Sequence, residues 1–372
     1  MNCWNEAMKD SFGRTIDYLR ISVTDRCNFR CVYCMPEEGA DVAPKEWILR
    51  YEEIATIVKV AAELGIRKVR LTGGEPLVRK DIVQLVRMIA QTPGISEVSL
   101  TTNGFLLARY AHELKEAGLT RINISLDTLS PERFERIARR GSLQQVLDGI
   151  EAAQRVGLSP IKFNTVVMRG FNDDEVPHFA RLTLHQPYHV RFIELMPINW
   201  NDGSDNGELF QQRFWNRIFA HAEEPTFSLI QPQHASHSML SAAEMRRLFV
   251  PADEMRQRIE QEIALLEPAE VVTNGPARTF RLPGAQGTVG FISQVTHDFC
   301  ANCNRLRLTA DGFLRPCLMA DGEVDLRTPL REGKGEEEIR RLFLQTVAHK
   351  PERHYLAEGI APVGRGMSQL GG

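Results

Sequence analysis

From Leu19 to Met196 the chain alternates between two hydrophobic patterns. Short runs rich in β-branched and aromatic residues, "YLRISV", "RKVRLTGGEP", "SEVSLTTNG", "RINISLD", "IKFNTVV" and "VRFIELMP", predict six strands. Between them, apolar residues recur at helical spacing. Ile54, Ile57, Val58, Ala61 and Ala62 form one such face; Ile82, Leu85, Val86 and Ile89 form another, on a helix starting at Asp81. Gly65 stands where a helix end wants a residue free to take positive φ. Ser142 with Gln145 predicts a capping box for the helix that follows. Six strand–helix repeats predict a parallel sheet with crossover helices. Curled on itself, such a sheet is a partial, six-fold β/α barrel with its site at the C-terminal strand ends. An open doubly wound sheet is the alternative that periodicity leaves standing.

After Met196 the rhythm breaks. Residues 199–240 are polar, aromatic and irregular, and the histidines in "FAHA" and "HASH" read as a solvated loop more readily than as a metal site. Helical periodicity returns between Ser241 and Leu266. Two hairpins follow, one around Pro283 to Gly287 and one turning at Asp311–Gly312. The pattern divides the chain into a barrel core over residues 12–198, an irregular insertion over 199–240 and a C-terminal region over 241–372. The end, "GRGMSQLGG", reads as too rich in glycine for a helix.

Composition and charge remove several function classes. The formal net charge of −3 gives no bulk attraction to nucleic acid. No apolar run is long enough to span a membrane, and the N-terminus lacks the layout of a signal peptide. A reducing cytoplasm is therefore expected, where disulfides are rare and the seven cysteines read as metal ligands. Six of them fall into two sets: Cys27, Cys31 and Cys34 just after the first strand, and Cys300, Cys303 and Cys317 at the base of the second hairpin. Cys3 stands alone and receives no role. Each set stops at three, whereas a closed structural zinc site takes four ligands. A cubane iron–sulfur cluster held by three thiolates leaves one iron open to a small molecule. Zinc remains the alternative for the second set taken alone. "TGGEP", "TTNG", "SLD" and "MP" lie at the ends of the strands that precede them, so they converge on one face as a site would.

The spacing in "CNFRCVYC", with Tyr33 before the last cysteine, and "GGEP" at Gly73 to Pro76 together resemble the signature of radical S-adenosylmethionine enzymes. The second set, "FCANCNRLRLTADGFLRPCL", and the terminal Gly-Gly resemble the GTP 3′,8-cyclase family of molybdenum cofactor synthesis. This resemblance runs from about Phe12 to the end of the chain. It departs at residues 199–240, a longer stretch than expected, and at Leu370, where isoleucine is usual.

The resemblance implies an α/β fold, a partial six-fold barrel of radical SAM type. Its C-terminal region would carry a second cluster and cover the barrel opening. Two [4Fe-4S] clusters and S-adenosyl-L-methionine are the implied cofactors. Cys27, Cys31 and Cys34 would hold the first cluster; Cys300, Cys303 and Cys317 would hold the second, with guanine on its open iron. Tyr33, Gly74, Ser125 and Met196 match positions that contact S-adenosylmethionine. Arg20, Arg70, Thr101, Lys162 and the run Arg305–Leu306–Arg307 match GTP contacts. Gly371 and Gly372 would help organise the site where the GTP-derived radical forms.

Physical chemistry agrees with the cation set. A triphosphate needs several cations, and arginine forks match phosphate oxygens. Arg305 and Arg307 alternate on one strand and so face one side. Arg20, Arg70 and Lys162 are expected to face the same mouth. No Walker-type loop is present.

The implied activity is a lyase that converts GTP to (8S)-3′,8-cyclo-7,8-dihydroguanosine 5′-triphosphate. It would draw electrons from an external donor and pass its product to the next enzyme of molybdopterin synthesis. No nucleic-acid or membrane partner is expected, and homodimerisation is left open. The rival readings are a peptide-modifying radical enzyme and a non-enzymatic iron–sulfur or zinc protein.

Overall fold

The computed structural model describes residues 7–40, 42–196, 247–269, 275–320, 322–355 and 365–371. The insertion expected over 199–240, its histidines, Cys3 and Gly372 lie outside the described residues.

All six expected strands form: β1 (Tyr18–Ser22), β2 (Lys68–Thr72), β3 (Glu97–Thr102), β4 (Arg121–Ser125), β5 (Lys162–Val167) and β6 (His189–Glu194). They pair in chain order and all in parallel. Helices Tyr51–Glu63, Ile82–Ala90, Leu107–Glu116, Pro131–Ala138, Leu143–Arg155 and Val176–His185 make the crossovers.

The parallel sheet continues beyond these six. The C-terminal region adds β7 (Glu267–Pro268), β8 (Arg278–Arg281), β9 (Thr288–Ile292), β10 (Arg305–Leu308), β11 (Phe313–Arg315) and β12 (Val324–Asp325). Both expected hairpins are present, as β8–β9 and β10–β11. One strand of each docks in parallel on the six-stranded sheet, β9 on β6 and β10 on β1. The order is β12-β11-β10-β1-β2-β3-β4-β5-β6-β9-β8-β7, so eight neighbouring strands are parallel and only the margins are antiparallel. One cavity is lined by residues from all eight parallel strands, which requires the sheet to curl around it. The barrel reading therefore holds over the open doubly wound one.

Strand alternation separates an apolar exterior from a polar lumen. Leu19, Ile21, Val69, Leu71, Ile122, Ile124, Phe163, Val190 and Leu306 are buried in the core under the helices. Their neighbours Tyr18, Arg20, Arg70, Arg121, Lys162, Arg191, Arg305 and Arg307 line the cavity. Ile54, Ile57, Val58 and Ala61 complete the core from the first helix, as their spacing predicts. Truncating one of its large members, such as Ile54→Ala, costs about 2–5 kcal/mol in such surroundings.

A second, smaller apolar cluster joins Val32, Met168, Leu195, Phe249, Met319 and Leu370, with Tyr33, Met196, Met367 and Cys317 packed against it. It fastens the C-terminal tail to the first cysteine loop.

Two local expectations are corrected. Gly65 does take φ +105°, but Ser142, although it caps its helix by position, makes no side-chain capping bond. The tail is not free of helix: Met367–Leu370 forms one turn. Its glycines flank that turn rather than interrupt it, and Gly371 takes the left-handed conformation that ends a helix. No helix among the described residues is long and apolar enough to cross a membrane.

Candidate active site

The loop after β1 carries Cys27, Cys31 and Cys34, and "GGEP" after β2 is built to lie against it. A Cβ at Gly73 would stand 2.3 Å from the Thr24 carbonyl oxygen, and one at Gly74 would stand 2.4 Å from that of Arg26. Only glycine allows this approach, which the Gly74 N–H seals by donating to Thr24 O at 2.7 Å. Glu75 is fully buried and accepts from Leu77 N at 2.9 Å, Thr102 Oγ1 at 2.8 Å and Asn103 N at 2.7 Å. Burial pushes its carboxyl up to about 7 despite those bonds. It ties the end of β2 to the end of β3. Asn103 in turn donates to Asn28 Oδ1 at 2.8 Å and reaches Cys27 Sγ at 4.0 Å.

None of the three thiols is in a disulfide. Burial pushes Cys27 up to about 11 and Cys34 up to about 12, and raises Cys31 well above its ordinary value. Such thiols are poor nucleophiles, and ligation to a metal is what would deprotonate them. Tyr33 O–H donates to Asp127 Oδ2 at 2.8 Å. Burial raises the Asp127 carboxyl to about 6. A small cavity beside the loop is lined by Cys31, Tyr33, Asn103, Ser125 and Asp127, so Tyr33 and Ser125 are brought to the first cysteine set. Met196, beyond β6, packs against the same apolar cluster as Tyr33 and also lines the large cavity.

The lumen is strongly basic. Arg307, Arg20 and Arg70 are register partners on β10, β1 and β2, so three guanidinium groups stand in one row across the sheet. Like charges placed opposite one another destabilise a sheet. Burial, then Arg307 and Arg70, hold Arg20 well below its ordinary value. Burial likewise lowers Arg307 to about 10, Arg191 to about 9 and Lys162 to about 7, and neighbouring arginines add to each shift.

Arg121 is neutralised by Glu97 at 3.0 Å. Arg70, Lys162, Arg191 and Arg307 have no carboxylate ion pair among the described residues. Arg191 also buries Nε and Nη2 without a hydrogen-bond partner, beside an equally unpartnered Asn164 Oδ1. Buried polar atoms are normally satisfied, so this lining is complementary to an anion that is large and rich in acceptors.

The placement corrects one expectation. Arg20 and Arg70 are mid-strand and Lys162 opens β5, so these cations face the interior rather than the C-terminal mouth. Thr101 shares the inward strand phase of Glu97, is half-buried and accepts from Asn123 Nδ2 at 3.4 Å. One matched residue stands apart from the lumen. Leu306 is fully buried in the core, which leaves only its main chain on hand for a ligand. Sequence reading passed over Arg191, Arg121, Asn164 and Phe299, all of which line the cavity. Arg191 had a signal: in "HVRFI" it holds the same alternation phase as Arg20 in "YLRIS" and Arg70 in "KVRLT".

The second cysteine set lies at the other end of the lumen. Cys300 and Cys303 precede β10, and Cys317 follows the antiparallel β11. All three are therefore at the N-terminal end of the parallel strands, opposite the end where β1 delivers Cys27. They line the same cavity as Met196 and Met367. Burial pushes Cys300 up to about 12 and raises Cys317. Burial also pushes Cys303 upward, but Lys350 and Arg305 outweigh it and its thiol ends below the ordinary value.

Asp298, Cys300 and His354 place ligand atoms within 4.8 Å of one another. A single ion there would engage one thiol and leave Cys303 and Cys317 unused. Three soft donors on one cavity fit an iron–sulfur cluster with an open position better. The first set offers the same three soft donors on one short loop, likewise without a fourth cysteine.

The tail reaches the lumen from the opposite end, beside the C-terminal ends of β1 and β2. Arg365 pairs with Asp311 at 3.0 Å and Glu323 at 2.8 Å, Leu370 is buried, and Arg307 Nη1 donates to Gly371 O at 2.8 Å. At Gly371, φ +68°, a Cβ would stand only 2.5 Å from Thr72 Cγ2, beside Gly73, so the tail packs there without space for a side chain.

Residues 21–183 match the radical SAM superfamily, and residues 236–356 match the family model described as Molybdenum Cofactor Synthesis C. The chain is 48% identical over 365 residues to a GTP 3′,8-cyclase of Moorella thermoacetica, covering 98% of this chain and 100% of that one. It is 48% identical over 366 residues to a GTP 3′,8-cyclase of Pelotomaculum thermopropionicum, again over 98% and 100%. Among solved structures, Streptococcus suis SuiB bound to precursor peptide SuiA matches with a TM-score of 0.50 at 12% identity, over 91% of this chain and 65% of that one. That likeness concerns the fold alone. With two cysteine sets at opposite ends of a basic barrel and near-complete coverage of such relatives, the chain belongs to the GTP 3′,8-cyclase family of radical SAM enzymes.

Proposed function

We propose that this chain converts GTP to (8S)-3′,8-cyclo-7,8-dihydroguanosine 5′-triphosphate, with S-adenosyl-L-methionine and two [4Fe-4S] clusters as cofactors. The observation that carries the reading is the arginine-lined lumen, with one three-thiol set on its lining and the other on the loop after β1 at the opposite end of the strands. When bound, the first cluster and S-adenosylmethionine supply the radical that takes hydrogen from C3′ of GTP, after which C3′ bonds to C8 of guanine.

The chain's own residues do the rest. Cys27, Cys31 and Cys34 hold the first cluster, and Cys300, Cys303 and Cys317 hold the second at the guanine end. Gly73 and Gly74 keep the main chain open beside the first loop, and Tyr33, Ser125 and Met196 frame S-adenosylmethionine. Arg20, Arg70, Lys162 and Arg191 bind the triphosphate and orient the ribose, because their forks fix several oxygens at once. Arg305 and Arg307 extend that row toward the second set, and Leu306 contributes its main chain. Thr101, on the inward phase of β3 beside Asn123, is a further GTP contact. Gly371 and Gly372 help organise the site where the GTP-derived radical forms, where exclusion of water protects a reactive intermediate. An external donor supplies electrons, and the product passes to the next enzyme of molybdopterin synthesis.

The test is anaerobic incubation of the reconstituted protein with GTP, S-adenosylmethionine and a reductant, followed by mass analysis of the nucleotide. A product isomeric with GTP, separated from it by chromatography and told apart by its fragments, is expected together with 5′-deoxyadenosine, because the hydrogen lost from C3′ is balanced by one electron and one proton taken up at the guanine ring. Cleavage of S-adenosylmethionine with GTP recovered unchanged would refute the reading.

A further inference from the structure

Lys350 follows the helix Gly335–Ala348 and is only 3% exposed. Its Nζ donates to Arg305 O at 2.9 Å and to Pro316 O at 2.5 Å. Among the described residues it has no carboxylate ion pair. A buried ammonium held only by neutral carbonyls is unfavourable unless an anion faces it. The groups that face it are the Cys303 and Cys317 sulfurs, both of which feel its charge.

The two accepting carbonyls are informative. Arg305 lies two residues beyond Cys303, and Pro316 lies one residue before Cys317. One ammonium thus bridges the two arms that carry these cysteines. The adjoining segment continues the same work. The His354 main chain reaches Cys300, and Arg14 donates to the carbonyls of Pro351, Glu352 and Cys300 at 2.6, 2.6 and 2.8 Å. Residues 350–354 form a strap beneath all three cysteines. Asp298 is the opposing charge, at Cys300, away from the arms that Lys350 joins.

We propose that Lys350 is a positioning residue for the second cluster: it fixes the spacing of the two cysteine-bearing arms and supplies a fixed positive charge that favours the cluster's reduced form. The proposal rests on the reading of Cys300, Cys303 and Cys317 as cluster ligands. A cluster held by three thiolates gains one negative charge on reduction. A cation within hydrogen-bonding reach of the Cys303 sulfur and near that of Cys317, in a medium of low polarity, stabilises that added charge.

The test uses the full chain with Cys27, Cys31 and Cys34 replaced by Ala, so that only the second cluster is present. Iron and sulfide per chain and a redox titration followed by electron spin resonance are measured for this parent and with Lys350→Met or Lys350→Arg added. Where Lys350→Met still loads the cluster, its reduction equilibrium should move about tenfold against the reduced form, which is about 59 mV for one electron. An unchanged equilibrium overturns the proposal. Where Lys350→Met fails to load, Lys350→Arg should restore iron and the spin signal. Loss of the cluster from both overturns it. A parent that takes up no cluster overturns the ligand reading itself, and this proposal with it.

Discussion

Arg191 gives the sharpest test of the lumen as a triphosphate site. In the unliganded barrel it is a burden: it is buried, two of its N–H groups lack partners, and its neighbours Arg70 and Arg305 repel it. Lys162 lies beside it too. Replacing it with Met keeps similar length and removes the charge. Each buried donor left unsatisfied costs about 1–3 kcal/mol, so relieving this site should raise the stability of the unliganded protein by roughly that amount. The ligand side moves the other way. A lost charged hydrogen bond to phosphate is worth about 1.5–3 kcal/mol, which weakens GTP binding about 10- to 150-fold. The assay pairs denaturant unfolding of the unliganded variant with anaerobic calorimetry for GTP and for guanosine. Arg191→Met should unfold at higher denaturant, bind GTP much more weakly and bind guanosine almost as before. A variant that is less stable, and loses both ligands equally, would refute the reasoning, since Arg191 would then be part of the structural frame.

Other outcomes follow from the same geometry. Burial holds Lys162 near 7 in the unliganded protein, far below its usual 10.5, so a bound triphosphate should raise it and draw in a proton. GTP affinity should fall as pH rises through about 7, with a buffer-dependent binding enthalpy that Lys162→Met abolishes. The linkage on stability has the opposite sign. Between about 7 and 10.5 the unfolded chain binds more protons, so this residue makes the unliganded fold gain stability as pH rises. Gly74→Ala would force a Cβ to 2.4 Å from a main-chain oxygen, and reconstituted protein should lose the first cluster's iron and keep the second's. Retention of both would show that the loop can give way. Deleting Gly371 and Gly372 should leave both clusters in place yet sharply reduce cyclised product per 5′-deoxyadenosine. An unchanged ratio would make the tail a spectator.

The six repeats could be read because each strand and each helix buries a face whose period is local. What joined β9 to β6 and β10 to β1 could not be read that way. Parallel pairing leaves no mark on either strand alone, and the hairpins that deliver β9 and β10 look like independent units. The same non-local pairing hid the true position of the second cysteine set. "CANC" sits before a strand and "RPC" after its antiparallel partner, but which end of the barrel that is depends on β10 lying parallel to β1. The two cysteine sets themselves were legible from spacing. Arg20, Arg70, Arg305 and Arg307 came from motif resemblance, and their row became visible only through register. Ser142 shows the limit of local rules: the residue types of a capping box were present, but the bond was not made.

The pairing of Tyr18 with Arg305 also bears on how the protein is made. Synthesis is vectorial, so β1 emerges early with one edge satisfied by β2 and the other bare until residues 305–308 appear. The six-stranded intermediate thus carries two open parallel edges, at β1 and β6, throughout the making of the insertion. Open edges invite pairing with other chains, and closure across such separations is slow. The first cysteine loop is finished long before this, whereas the second set needs almost the whole chain. Metallation is therefore expected to be sequential during biogenesis. Chains arrested before β9 should aggregate even when supplied with iron and sulfide, while those arrested after β12 should remain dispersed.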